Sequence, residues 1–259
     1  MNITRAELDL DGRRLSYVDF GGPGRPLLAL HGHLEQGLMW ADLAAALAPQ
    51  WRVIAPDQRG HGASDRTADY TREGYVADLV ALLDHLDLGP IVVLGHSLGG
   101  VNAYQLAARH PELVSALIVE DIGAVISGPN RLDFLLACPY QAATRDELVA
   151  GLGPAGPMFG DRLMELPDGT WRLPFHPEDM VLSETRNWGD HWADWLGSDR
   201  PALLLVGKES PITAGQARPM ADKRPNTRLV ELNGDHFPHR QDSAAFTAAI
   251  RDFLDSLPA

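Results

Sequence analysis

The chain has 259 residues, 45% of them hydrophobic and 22% charged, with a formal net charge of −13. That length suits one large domain or a domain carrying an insertion, and the acidic balance argues against nucleic acid or an anionic membrane as partner, because phosphates would be repelled. Cys138 is the single cysteine, so an internal disulfide and a cysteine-based zinc site are excluded, and a buried small hydrophobe is its expected role.

The opening Met1–Asp9 is too polar for a secretory signal, and no apolar run approaches membrane-spanning length. The expected setting is the cytoplasm, with a small-molecule substrate as partner and a monomer or homodimer as the assembly. Residues 6–20 alternate around Asp11-Gly12, which predicts an antiparallel hairpin. Pro26–Leu30 is a compact apolar strand ending at His31-Gly32. Leu38–Leu47 has helical spacing, and Arg52–Ala55 is a second buried strand ending at Pro56-Asp57. Tyr75, Leu79, Leu82, Leu83 and Leu86 recur at the helical period.

Ile91–Leu94 then reads as a short buried strand, followed by Gly95-His96-Ser97-Leu98-Gly99 and a helical pattern through Ala103, Leu106 and Ala107. A G-x-S-x-G run between strand and helix is a nucleophile elbow: the tight turn pushes the serine out of the sheet, and the glycines leave room for it. The helix that begins there aims free N–H groups and a positive dipole end at whatever sits beside Ser97. Strands at Ala116–Val119, Pro201–Gly207 and Arg228–Leu232, and a final helix carrying Phe246, Ile250 and Phe253, complete the alternation. Strands alternating with helices predict an α/β fold, a mostly parallel sheet with helices on both faces and reacting groups at the carboxyl ends of the strands.

The alternation breaks between residues 124 and 199, where Gly and Pro punctuation, short helical candidates at 130–138 and 144–150, and four of the six tryptophans are concentrated. This stretch is expected to be a helical cap inserted over the active edge of a core made of residues 1–123 and 200–259. Its aromatics Phe159, Trp188 and Trp192, with Phe237 and His33 from the core, are expected to line a pocket for a partly apolar substrate.

Ser97 needs a base, a group to orient that base, and donors for a developing oxyanion. Among ten histidines, His236 stands out, because Gly234-Asp235-His236-Phe237 lies between the last strand and the final helix. His239 is its nearest competitor and is expected at the start of the last helix or facing water. His96 is expected to point away from Ser97. His31 and His33 lack a third ligand at useful spacing, so no metal site is expected. The oxyanion donors are expected to be the backbone N–H groups of Leu98 and His33, with the His33 side chain in or near the pocket.

At this point the chain resembles the α/β-hydrolase superfamily over essentially its full length. The matching motifs are His31-Gly32, Pro56-Asp57-Gln58-Arg59-Gly60-His61-Gly62-Ala63-Ser64, Gly95–Gly100 and Gly234-Asp235-His236-Phe237. They look like the branch of capped esterases and perhydrolase-type haloperoxidases. The resemblance implies an α/β-hydrolase fold with an inserted helical cap, no cofactor, and a structural turn at Asp57–Ser64. One departure matters. Many members hold their acid a few residues past the strand that here ends Val206-Gly207, where this chain has Ser210. The acid is then either Asp121, at the end of the preceding strand and within an Asp-Ile-Gly pattern that a subset of the superfamily uses, or Glu209. Asp121 is favoured, and Glu120 is expected to face the opposite way.

A serine hydrolase acting on a carboxylic ester, thioester or lactone through Ser97, His236 and Asp121 is therefore expected. Perhydrolysis or carbon–carbon bond hydrolysis by the same triad, or cofactor-free lyase or oxygenase chemistry, are the alternatives; a non-catalytic binding protein ranks last. A serine at position 97 disfavours dehalogenase and epoxide hydrolase chemistry, where the resemblance would demand aspartate. Nucleotide binding at Gly95–Gly100 is disfavoured too, since the spacing is not G-x-G-x-x-G.

Overall fold

In the computed structural model, which describes residues 2–258, eight strands form the central sheet. They are β1 (Thr4–Leu10), β2 (Arg13–Asp19), β3 (Arg25–Leu30), β4 (Trp51–Pro56), β5 (Ile91–His96), β6 (Val114–Glu120), β7 (Ala202–Gly207) and β8 (Thr227–Leu232). The order across the sheet is β1-β2-β4-β3-β5-β6-β7-β8. β1 and β2 form the expected hairpin, and β2 runs antiparallel to β4; every pairing from β4 to β8 is parallel. Asp11 and Gly12, both at positive φ, make the hairpin turn.

Alternation along the strands divides the core between two faces. Leu28, Val93, Leu117, Val119 and Leu204 face α2 (Arg72–His85) and α3 (Leu98–Arg109). Leu27, Val92, Leu94, Ile118, Leu203 and Leu205 face α1 (Ala41–Leu47) and the C-terminal helix Ser243–Asp255, whose Phe246, Ile250 and Phe253 repeat at helical spacing. The predicted helix Leu38–Leu47 divides into a 3₁₀ turn at Gly37–Trp40 and α1.

The chain leaves the sheet after β6 and returns at β7. This insertion contains α4 (Arg145–Gly151), α5 (Pro177–Asn187) and α6 (Trp192–Leu196). It also holds a three-stranded sheet of two-residue strands, Gln141–Ala142, Trp171–Arg172 and Met164–Glu165. Thr144 and Glu147 form a reciprocal capping box that starts α4. The expected helix at 130–138 is only a 3₁₀ turn, Asp133–Ala137. The insertion has its own apolar cluster, including Leu135, Leu148, Phe159, Leu173, Phe175 and Met180, and Leu34 of the main domain packs into it. Cys138 is half-buried at the edge of that cluster rather than fully buried, and its thiol donates to the Phe134 carbonyl across 3.6 Å. Beyond the insertion, α7 (Ala217–Lys223) and α8 (Ser243–Asp255) complete the main helices. Among the described residues no helix is long and apolar enough to cross a membrane.

Candidate active site

The elbow is a strained strand-to-helix junction. Ser97 has φ 50° and ψ −115°, a conformation that L residues occupy at a cost of order 1–3 kcal/mol and that the surrounding packing must hold in place. A Cβ on Gly95 would run into the main chain of Gly99 and Gly100, and one on Gly99 into the carbonyls of Leu30 and His31. Both positions therefore need glycine so that β3, β5 and α3 can converge. Leu98 opens α3, where an N–H has no intrahelical acceptor, and its side chain packs with Tyr70 and Tyr75.

The His236 ring bridges Ser97 and Asp121. Its Nδ1–H donates to Asp121 Oδ2 at 2.7 Å, and its Nε2 accepts from the Ser97 hydroxyl at 3.0 Å. Asp121 is fully buried at the end of β6, and its left-handed backbone (φ 47°) turns its carboxylate away from the strand. The rest of that carboxylate is also saturated. Oδ1 accepts from the Gly207 N–H at 2.9 Å and the Thr213 hydroxyl at 3.3 Å, and Oδ2 accepts from the Ser210 hydroxyl at 2.5 Å. Glu209, the other candidate acid, is exposed, and only its main chain is engaged, through the Gly234 carbonyl. The β7 turn points its side chain outward, so it is not the acid that meets His236.

The loop after β3 is clamped from behind. His31 Nδ1–H donates to the Gly32 carbonyl at 2.7 Å, and its Nε2 accepts from the Gln58 N–H at 2.9 Å. The Gln58 amide reaches the His31 carbonyl at 2.6 Å and accepts from Asn102 of α3 at 2.5 Å. Asp57 receives the N–H groups of Gly37 and Ala63, at 2.7 and 2.9 Å. The Asp57–Ser64 turn is thus a brace, and it brings Gly32 against Ser97 and His96. His33 Nε2 lies 2.8 Å from the Ser183 hydroxyl, which is itself 2.8 Å from the Tyr75 hydroxyl. Burial holds the His33 imidazole well below its ordinary pKa, with the nearby His61 adding to the effect, so the ring is neutral. Its Nδ1 stands 3.6 Å from the Glu184 carboxylate, whose own pKa burial raises.

A cavity of about 330 Å³ opens beside Ser97 and His236. Its walls are mostly apolar (Ile122, Ile126, Leu132, Phe134, Met158, Ile212 and Phe237), and Arg131, Glu184 and Asn187 supply polar groups. His33 and Phe237 are among the residues that line it. Three other expected lining residues do not. Phe159 is buried in the insertion's own cluster, edge-on to Phe175 at 5.7 Å between ring centroids. Trp188 is 38% exposed and lies over Gly128, and Trp192 packs at the margin of the sheet core beneath the Lys223 ammonium, 4.5 Å from its ring.

His239 also departs from expectation. It sits in a single helical turn, Pro238–Gln241, with its side chain 7% exposed, and is bonded to Glu120 rather than to water. His96 turns towards the main chain of His236, away from the Ser97 hydroxyl. The grouping of His96, Glu120 and His239 went unforeseen. The strand alternation that sends Glu120 away from Asp121 carried the only signal of it.

A family model described as alpha/beta hydrolase fold matches residues 25–149. Lipase LipV of Mycobacterium tuberculosis is 42% identical over 249 residues, covering 90% of this chain and 94% of that protein. The chain belongs to the α/β-hydrolase family. The 2-hydroxymuconate semialdehyde hydrolase of Pseudomonas sp. is 41% identical over 251 residues, covering 90% of this α/β hydrolase and 88% of the relative. The crystal structure of E-2-(acetamidomethylene)succinate hydrolase superposes with a TM-score of 0.86 at 24% identity, over 98% of this chain and 100% of that one, a likeness of fold. These two relatives of the α/β hydrolase are named as a lipase and a semialdehyde hydrolase, with different substrates in their names.

Proposed function

We propose that this protein is a serine hydrolase that cleaves a carboxylic ester, thioester or lactone of a small, partly apolar molecule. The observation that carries this reading is the hydrogen-bonded order Ser97 Oγ–His236–Asp121 at the mouth of a cavity with apolar and polar walls. In the reaction, Ser97 Oγ attacks the substrate carbonyl carbon while His236 Nε2 takes the hydroxyl proton. Asp121 fixes the tautomer in which Nδ1 carries the other proton, and it stabilises the imidazolium that forms. The N–H groups of Leu98 and His33 receive the oxyanion, where removal of one such donor typically costs about 10²–10³ in kcat. The tetrahedral intermediate collapses as His236 Nε2–H protonates the departing alkoxide. Water, deprotonated by the same nitrogen, then releases the acyl group and regenerates the serine.

The insertion serves in this scheme as a cap. Leu132, Phe134 and Met158 come from it and complete the cavity wall over the triad. Phe134 and Met158 are each 44% exposed, an apolar surface suited to covering the hydrocarbon part of a substrate. A second reading, hydrolysis of a carbon–carbon bond by the same groups, is favoured by the 41% identity to a 2-hydroxymuconate semialdehyde hydrolase. An ester and lactone panel set beside a vinylogous diketone distinguishes the two. The decisive variant is Ser97→Ala, which is expected to abolish p-nitrophenyl ester turnover and fluorophosphonate labelling with the fold intact; retained turnover would overturn the proposal.

A further inference from the structure

His96 and Glu120 each stand immediately before a triad member in the chain, and the register of β5 and β6 pairs them Cα to Cα. Consecutive side chains on a strand point to opposite sides. While Ser97 and Asp121 meet the ring of His236, the preceding residues therefore reach the main chain of the same loop. His96 Nε2–H donates to the His236 carbonyl at 2.9 Å. Glu120 Oε1 accepts both the N–H and the Nδ1–H of His239, each at 2.9 Å, in the turn that immediately follows. The rings of His96 and His239 meet edge to face, 5.0 Å between centroids. His96 and Glu120 are 1% and 0% exposed. A carboxylate so deeply buried is costly unless it is hydrogen-bonded or paired. Burial by itself would raise the Glu120 pKa, but His239 and His96 outweigh it and hold the carboxyl below its ordinary value, so it is ionised.

We infer that His96, Glu120 and His239 are positioning residues that lock the main chain of residues 236–239 and so set the approach of His236 Nε2 to the Ser97 hydroxyl. The inference rests on the triad reading above and adds to it a second set of constraints, on the backbone, to the one that Asp121 places on the ring. The same three side chains bring potential ligand atoms within 4.8 Å of one another, and two imidazoles with a carboxylate suit zinc. A metal held through His96 Nε2 and His239 Nδ1 would have to displace their bonds to His236 and Glu120, whereas Glu120 Oε2, His239 Nε2 and His96 Nδ1 are buried without hydrogen-bond partners among the described residues. The remaining nitrogen of His96 abuts Gly32, only 2.6 Å from where a Cβ there would lie. The engaged donors, His96 Nε2–H and the N–H and Nδ1–H of His239, hold the loop.

The test measures fluorophosphonate labelling rates and steady-state ester kinetics for wild type, Glu120→Ala, Glu120→Gln and His239→Phe. Small misplacement of a reacting group costs as much as about 10²-fold, so Glu120→Ala is expected to slow labelling and lower kcat by up to that factor. KM should change little in these variants, because neither Glu120 nor His239 lines the cavity. Glu120→Gln keeps an oxygen for both His239 donors and is expected to label close to the wild-type rate. His239→Phe keeps the ring packing on Trp40 and Phe246 (centroids 5.7 and 6.1 Å away) but loses the Nδ1–H. It is expected to be slowed by about tenfold, and it carries the decision if Glu120→Ala does not fold. Folded His239→Phe labelling at the wild-type rate, or Glu120→Gln as slow as Glu120→Ala, overturns the inference while leaving the triad standing. Wild type that fails to label at Ser97 overturns the triad itself.

Discussion

Ser210 donates a 2.5 Å hydrogen bond to Asp121 Oδ2, the same oxygen that receives the His236 ring at 2.7 Å. The serine that stands where the family resemblance would place an acid is thus a donor to the carboxylate of Asp121, at the end of β6. A carboxylate at 210 would face Asp121 as a like charge, so the two placements exclude each other. Ser210→Ala removes one of the bonds that stabilise the Asp121 anion. Hydrogen bonds to charged groups are worth about 1.5–3 kcal/mol, and kcat/KM for a p-nitrophenyl ester is expected to fall by about 10- to 100-fold.

The acid assignment itself is tested by two substitutions side by side. Asp121→Asn preserves shape but cannot hold the required imidazole tautomer. By the precedent of other Ser-His-Asp triads it is expected to lower kcat by about 10⁴. Glu209→Gln, altering an exposed side chain, should leave kcat unchanged. The reverse pattern in a stopped-assay comparison would move the acid to β7.

Acid stability follows from buried imidazoles, of which His31 and His61 are two. Burial lowers the pKa of His31 to about 4 and that of His61 to about 3, the latter also through the neighbouring His31. A second proton on His31 Nε2 would point at the Gln58 N–H that it now accepts. In the unfolded chain both rings titrate near 6.5, so below that pH unfolding takes up protons and stability rises with pH. The contribution is complete above about pH 7 and is lost as pH falls from 6.5 towards 4. By pH 5.5 the loss is roughly 1 kcal/mol per histidine. Urea midpoints measured between pH 7.5 and 5 check this, and a His31→Gln variant should show a shallower slope.

Substrate length is set by the cavity. A volume of about 330 Å³ lies at the lower end for small-molecule pockets. p-Nitrophenyl esters with acyl chains of about four to eight carbons are expected to outpace both acetate and palmitate, the first for want of apolar contact and the second for want of room. Phe134→Ala should flatten that profile by opening the wall.

The sheet, the elbow and the His236 loop were legible because each carries a local pattern. Apolar strands end at Gly-His or Pro-Asp, glycines lie two residues either side of a serine, and a histidine lies between the last strand and last helix. The insertion was legible only as an interruption. α5 escaped notice because its exposed face is strongly polar and its buried residues include Asp179, Ser183 and Asn187. The aromatics of that region were visible as a group, but composition does not say which side of a subdomain each ring faces. Phe159 and Phe175 went to its core, Trp192 to its base and Trp188 to its outside. The Glu120–His239 bond joins residues 119 apart in sequence, with no motif to announce it.

The neck of the insertion is narrow. Val125–Ile126 pairs with Gly189–Asp190 in a two-residue ladder, and the Gln216 side chain tacks Val125 to the body by bonds of 2.9 and 3.0 Å. Asp121 lies just before that neck, whereas Ser97 and His236 lie on unrelated loops. Exchange of the segment beyond this collar would leave Ser97, His236 and Asp121 where they stand. One chemistry can then be refitted to new metabolites by exchange of a single contiguous cassette.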